Sequence, residues 1–162
     1  MNIIGVKDKY KDCKISVIDI ETSGLSPNNS EILEVGLLNI SDGELQKEVI
    51  NTCIKPANID NIPLQIFYLC EDLTKEKLSN GKKLNQVKEK LNDNLHNKIM
   101  AHNAGFEKKF LSKNISKKIV KKTFLDSAIF CSIINPTLKK VNLNHLLSKY
   151  FGNRERHRAY SD

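Results

Sequence analysis

The sequence predicts an α/β fold: one mixed sheet, its first three strands antiparallel, flanked by helices. Three observations carry this. Apolar, β-branched runs separated by short turns fill the first third of the chain. Helical periodicity takes over after Lys55-Pro56. Short strand candidates then alternate with amphipathic helices, the order expected of a sheet with helices packed on it.

Residues 14–20 are rich in Ile and Val and read as the first strand. Residues 31–40 form a second, and Ser41-Asp42-Gly43 turns the chain into a third over 45–54. Pro63 suits the first position of a helix carrying Leu64, Ile66, Phe67 and Leu69. Over 82–95, Leu84, Val87, Leu91 and Leu95 fall on one helical face. Residues 98–101 make a short strand, and Asn103 is expected to cap a helix running to about Ser112. A further strand ends at Leu125. Asp126 is a good N-cap for a helix expected to turn Ile129, Phe130, Ile133 and Ile134 inward before Asn135-Pro136 stops it. The stretch 142–150 is expected to bury Leu143, Leu146, Leu147 and Tyr150, with Gly152 ending it.

The 162 residues suit a single domain, with 40% apolar and 28% charged side chains. No apolar run approaches the ~20 residues of a membrane span. Met1 to Lys14 lacks the apolar core of a signal peptide, so a cytoplasmic protein without membrane contact is expected. The net charge of +7 suits a polyanionic partner. The basic residues are mostly Lys, however, with Arg only at 154, 156 and 158, and codon bias explains that excess equally well. The lysines between 108 and 122 could neutralise phosphates or form a solvated helix face. Cys13, Cys53, Cys70 and Cys131 show no C-x-x-C pairing and read as reduced, buried small hydrophobes.

Three acidic stretches do not look like ordinary surface. In the first, Asp19 and Glu21 lie two apart on the most apolar strand and therefore share a face. Two neighbouring carboxylates repel, and a divalent cation would relieve them. On spacing alone, an exposed strand end accounts for them too. In the second, Glu107 lies beside the Phe106–Phe110 stripe and has no basic partner at i+3 or i+4. An acid near a helix start is also favourable without any function. In the third, His157 and Asp162 lie five apart in a basic context.

Together these stretches resemble the signature of the DEDDh 3′-5′ exonucleases, the DnaQ-like class that includes the proofreading epsilon subunit of bacterial DNA polymerase III and the ribonuclease RNase T. Asp19-Ile20-Glu21-Thr22-Ser23-Gly24-Leu25 matches the first motif, D-x-E-T-T/S-G-L. Residues 31–36 resemble its E-I-I-E-I-G second strand, and residues 102–111 its H-N-A-x-F-D-x-x-F-L motif except at Glu107. Residues 125–127 and 141–146 resemble the L-D-T and Y-S-L-x-x-L helix starts. His157-Arg158-Ala159-Tyr160-Ser161-Asp162 matches H-R-A-x-x-D. The resemblance is collinear from Ser16 to Asp162.

The resemblance implies an RNase H-like fold with a five-stranded mixed sheet. It implies a single exonuclease domain over residues 1–162, without the closing helix with which the family usually continues. It implies two Mg²⁺ or Mn²⁺ ions, with Asp19 bridging both, Glu21 and Asp162 holding the first and Glu107 supporting the second. His157 would be the general base. Thr22 and Leu25 would meet the terminal nucleotide, with His102 and Asn103 supporting the site. The implied reaction removes 5′-mononucleotides from the 3′ end of single-stranded DNA, free-standing or beside a DNA polymerase subunit. The alternatives are an enzyme of the same fold trimming RNA 3′ ends, or a weakly active or non-catalytic nucleic-acid-binding module. Glu107, one methylene longer than the family's Asp, is expected to reach the second metal directly or through one water, with activity retained and Mn²⁺ preferred.

Overall fold

The structure, a computed structural model, describes residues 12–46, 49–70 and 72–152. Strand β1 (Lys14–Thr22) pairs antiparallel with β2 (Ile32–Ser41). On its other side β2 pairs with two short strands, β3 (Glu44–Leu45) and β4 (Ile50–Cys53). Both occupy the place expected of one third strand. Ile40 faces Leu45 whereas Leu37 faces Ile50, so three steps along β2 match five along its partner. That mismatch breaks the expected 45–54 strand in two. Strand β5 (Lys98–Ala101) lies parallel to β1, and β6 (Thr123–Asp126) parallel to β5. The mixed, five-position sheet with an antiparallel first half is the one the sequence predicts.

Parallel neighbours need a crossover. Between β4 and β5 the chain forms helices α1 (Leu64–Leu69), α2 (Lys75–Ser79) and α3 (Leu84–Asn94). Between β5 and β6 it forms α4 (Gly105–Asn114) and a 3₁₀ turn, Lys117–Lys121. Two short helices, α5 (Ser127–Ile134) and α6 (Leu143–Phe151), follow β6. The sequence reading missed α2, a five-residue helix too short for periodicity to register, capped by Thr74 Oγ1 accepting from Lys77 N–H. Pro63 is the N-cap of α1 and not its first helical residue. The α3 periodicity holds: Val87, Leu91 and Leu95 are buried and Leu84 packs at the edge of the core. Gly81 precedes α3 because a Cβ there would lie 2.9 Å from Cys53 O and from Lys55 N.

Two cores result. The larger joins Ile18 and Ile20 of β1 to Val35 and Leu37 of β2, Val87 and Leu91 of α3, and Phe110 and Leu111 of α4. Truncating one of these fully buried side chains to Ala is expected to cost about 2–5 kcal/mol. The smaller joins Leu33 to Ile62, Cys70, Leu73 and Leu78 beneath α1 and α2. A bulge between Glu21 and Thr22 lets Ile32 and Leu33 serve different cores.

Three expectations about burial are corrected. Ile129, Phe130, Ile133 and Ile134 of α5 are all exposed, and Tyr150 of α6 is exposed while Leu146 is buried. Strand β6 is the sheet edge, and none of the described elements buries α5. Periodicity tells which side chains share a face, not whether a neighbour covers it. Of the four cysteines only Cys70 is buried; the others are half-buried, and all four are free thiols. No described helix is long and apolar enough to cross a membrane.

Candidate active site

Strand β1 outruns its parallel partner. The last β1–β5 pair is Val17 with Met100, and β5 ends at Ala101, so Asp19, Glu21 and Thr22 lie past it. Along β1, Ser16, Ile18, Ile20 and Thr22 are buried and the alternate residues are half-buried. Asp19 and Glu21 therefore share the face turned away from the larger core, as their spacing predicts. Glu34 lies directly opposite Glu21 in the β1–β2 ladder, is fully buried, and adds a third carboxylate to this face.

The chain leaves β5 through His102, Asn103 and Ala104 and enters α4 above this strand end. Glu107, in the first turn of α4, is buried, 3% exposed. Among the described residues its Oε2 has no hydrogen-bond partner. Buried polar atoms are normally paired, so such an exception needs an explanation. Burial raises the Glu107 carboxyl to about 7, and the negative charges of Asp126 and Glu21 push it the same way, against a hydrogen bond from its own backbone. Glu107 thus senses both Glu21 on β1 and Asp126 at the end of β6. An all-carboxylate set of this kind suits a hard cation such as Mg²⁺ or Mn²⁺, which would relieve both the repulsion and the unpaired Oε2. Among the described residues, no three His, Cys, Asp or Glu side chains by themselves form a group able to hold a metal ion. His157 and Asp162, the remaining expected members, lie outside the described residues.

The supporting turn differs from expectation. Asn103 does not cap α4: Ala104 occupies that position, and Asn103 adopts a left-handed φ of 61°, which Asn tolerates better than most residues. Asp126 holds the turn that leads into α4. Its carboxylate accepts from Ala128 N–H at the start of α5, from Asn103 N–H at 3.2 Å and from Ala104 N–H at 3.0 Å. One side chain expected only to start its own helix also secures the entry to α4. His102 Nδ1 lies 2.9 Å from Ser127 Oγ, tying the same turn to α5.

After β1, the buried Thr22 donates from Oγ1 to Gly24 O, so its hydroxyl shapes the turn. Ser23 closes the loop at its base, donating its N–H to Glu31 O and accepting Glu31 N–H at Oγ. Leu25 sits in this loop at 88% exposure, an apolar side chain presented to solvent. Lys113 of α4 donates to Asn28 Oδ1 and tethers the loop from the other side. Lys122 donates to the carbonyls of Leu95 and His96, and Lys108 lies over the Phe124 ring. Part of the basic run therefore has structural partners. Cys70 is the reduced, buried residue expected, and its thiol in addition donates to Glu21 Oε2 at 3.4 Å. No local pattern signals that contact, because the two residues are 49 positions apart.

The model of the exonuclease family matches residues 16–162. The DNA polymerase III PolC-type protein of Clostridium perfringens is 32% identical over 99% of the chain, and that of Thermotoga petrophila is 34% identical over 67% of it. The chain spans only 11% and 8% of these two relatives. Among solved structures, E. coli Exonuclease I in complex with a dA16 oligonucleotide superposes with a TM-score of 0.75 at 13% identity, covering 92% of this chain and 38% of that one. Exonuclease X in complex with 5′ overhanging duplex DNA superposes with a TM-score of 0.61 at 18% identity, covering 83% and 71%. A family match across nearly the whole chain and relatives above 30% identity together establish that the chain belongs to the exonuclease family, in the DnaQ-like 3′-5′ group whose motifs it carries.

Proposed function

We propose that residues 1–162 form one exonuclease domain that removes 5′-mononucleotides from the 3′ end of single-stranded DNA. The observation that carries this reading is the buried Glu107 carboxylate, whose Oε2 has no partner among the described residues and which feels the charge of Glu21, beside the strand end that also bears Asp19. Asp19, Glu21, Glu107 and Asp162 would hold two divalent ions, which supply Lewis-acid stabilisation of the charge that develops during phosphodiester hydrolysis. His157, as a neutral imidazole, accepts the proton of the attacking water near neutral pH. The exposed Leu25 offers an apolar contact to the last base, and Thr22 holds the turn that presents it. His102 and Asn103 keep the entry of α4 in place. The polymerase names of the relatives support DNA over RNA as substrate, and support a place beside a DNA polymerase.

Matched DNA and RNA oligonucleotides, labelled at the 5′ end and incubated with Mg²⁺ or Mn²⁺, test the reading. Stepwise shortening of the single-stranded DNA, dependent on the metal and absent in Asp19→Ala, is the expected result. Shortening of RNA alone would move the protein to RNA end-trimming. Binding of either oligonucleotide without shortening would leave a nucleic-acid-binding module.

A further inference from the structure

We propose that Cys70 is a positioning residue for Glu21, holding that carboxylate in the orientation from which it takes a divalent cation. The inference rests on the metal reading of the site above. The thiol donates to Glu21 Oε2 at 3.4 Å, an ordinary separation for a sulfur donor. Cys70 is 4% exposed and packs with Leu33, Ile62, Leu73 and Leu78, so its side chain has little freedom to swing away. Its backbone is pinned as well. Its N–H donates to Ile66 O at 2.9 Å, and its carbonyl accepts Leu73 N–H at 2.8 Å. The smaller core thus presents one fixed donor to the acidic face of β1.

The consequence follows from the shape of a carboxylate. Each oxygen offers two acceptor sites, so a single donor at Oε2 does not by itself exhaust the acceptor capacity of the carboxylate. A carboxylate with one oxygen held loses rotational freedom before the cation arrives, and the cation pays less to order it. Partners that orient a metal ligand typically matter 10–100-fold in affinity. The thiol is a weak donor, which places the expected effect near 10-fold.

Two substitutions separate orientation from packing. Cys70→Ser keeps a donor but puts a more polar group into an apolar core. Cys70→Val fills the space without a donor. Mn²⁺ affinity of the full chain, measured by calorimetry, is read beside the melting temperature of the metal-free protein. The expected result is that Cys70→Ser binds Mn²⁺ within about 3-fold of wild type and Cys70→Val about 10-fold more weakly, even though Cys70→Val is the more stable of the two without metal. Equal Mn²⁺ affinity in the two variants, or affinity that simply tracks melting temperature, would overturn the role of Cys70. A wild-type chain that binds no Mn²⁺ overturns the metal reading of the site and this inference with it.

Discussion

Two clusters of buried polar groups sit on or beside β1, and they are solved in opposite ways. At one end, Ser16 Oγ donates to Asn39 Oδ1 at 2.7 Å and accepts His96 N–H at 2.8 Å, while Asn39 Nδ2 donates to Asn94 O. This network joins β1, β2 and the end of α3 and satisfies itself within the protein. At the other end, carboxylates share one strand face, and Glu107 keeps a buried oxygen without a partner. A polar group that completes its own hydrogen bonds stabilises a fold. One that does not, among the described residues, carries the cost of burial uncompensated. The contrast is between compensated and uncompensated burial of polar atoms beside a single strand.

The largest effect is expected at the acidic end. Asp19→Ala should abolish exonuclease activity and leave the metal-free melting temperature unchanged or raised, since it removes one of the repelling charges. Full activity in this variant would erase the distinction between the two ends. Addition of Mg²⁺ or Mn²⁺ should raise the melting temperature of the wild type, by mass action on the native state, and do so less in the variant.

His157→Ala should lower turnover by about 10²–10⁴-fold, the scale of a general base. Mn²⁺ binding, followed by calorimetry, should hardly change. A collapse of metal affinity would make His157 a ligand instead.

Glu107 gives the comparison a pH dependence. Its carboxyl lies at about 7 in the folded protein against an ordinary 4.5. The native state therefore holds the proton more tightly than the unfolded chain does. Metal-free stability should be full below about pH 4.5, fall as pH rises towards 7, and stay low above it, a loss on the order of 1–3 kcal/mol. Glu107→Gln should remove that loss, so chemical denaturation should find it more stable than wild type at pH 8 and equal at pH 4.5. The same variant should be strongly impaired as an exonuclease, whereas Glu107→Asp should retain or improve activity.

The self-satisfied end should behave in the reverse sense. Ser16→Ala strands Asn39 Oδ1 and His96 N–H and should cost about 1–3 kcal/mol, with Mn²⁺ affinity untouched. The smallest effect belongs to His96, whose pKa is lowered by burial first and then by Lys14 and Lys122. A lowered imidazole contributes stability that is present above its ordinary value of 6.5 and is lost as pH falls below it. His96→Gln should make acid unfolding begin at a slightly lower pH.

Much of this molecule was legible in its sequence, and for identifiable reasons. The β-branched run of β1, the helical stripe of Val87, Leu91 and Leu95, the Asp126 cap and the Gly152 stop are local patterns, and the structure keeps them. That Asp19 and Glu21 share a face follows from the two-residue period of any strand. Other features depended on which segments meet. Asp126 reaches back over 22 residues to hold the turn into α4, because β5 and β6 end side by side. Glu107 is buried because α4 begins over the end of β1, so its carboxyl is raised first by burial and then by Asp126 and by Glu21, the latter 86 positions away in sequence. The apolar stripe of α5 stays exposed because β6 closes the sheet and brings no described neighbour. Cys70 meets Glu21 only because the fold brings the end of α1 beside the end of β1. Sequence determined the elements and the side chains each could present; tertiary structure decided which were covered and which were paired, because burial and electrostatics act between segments that sequence does not place side by side.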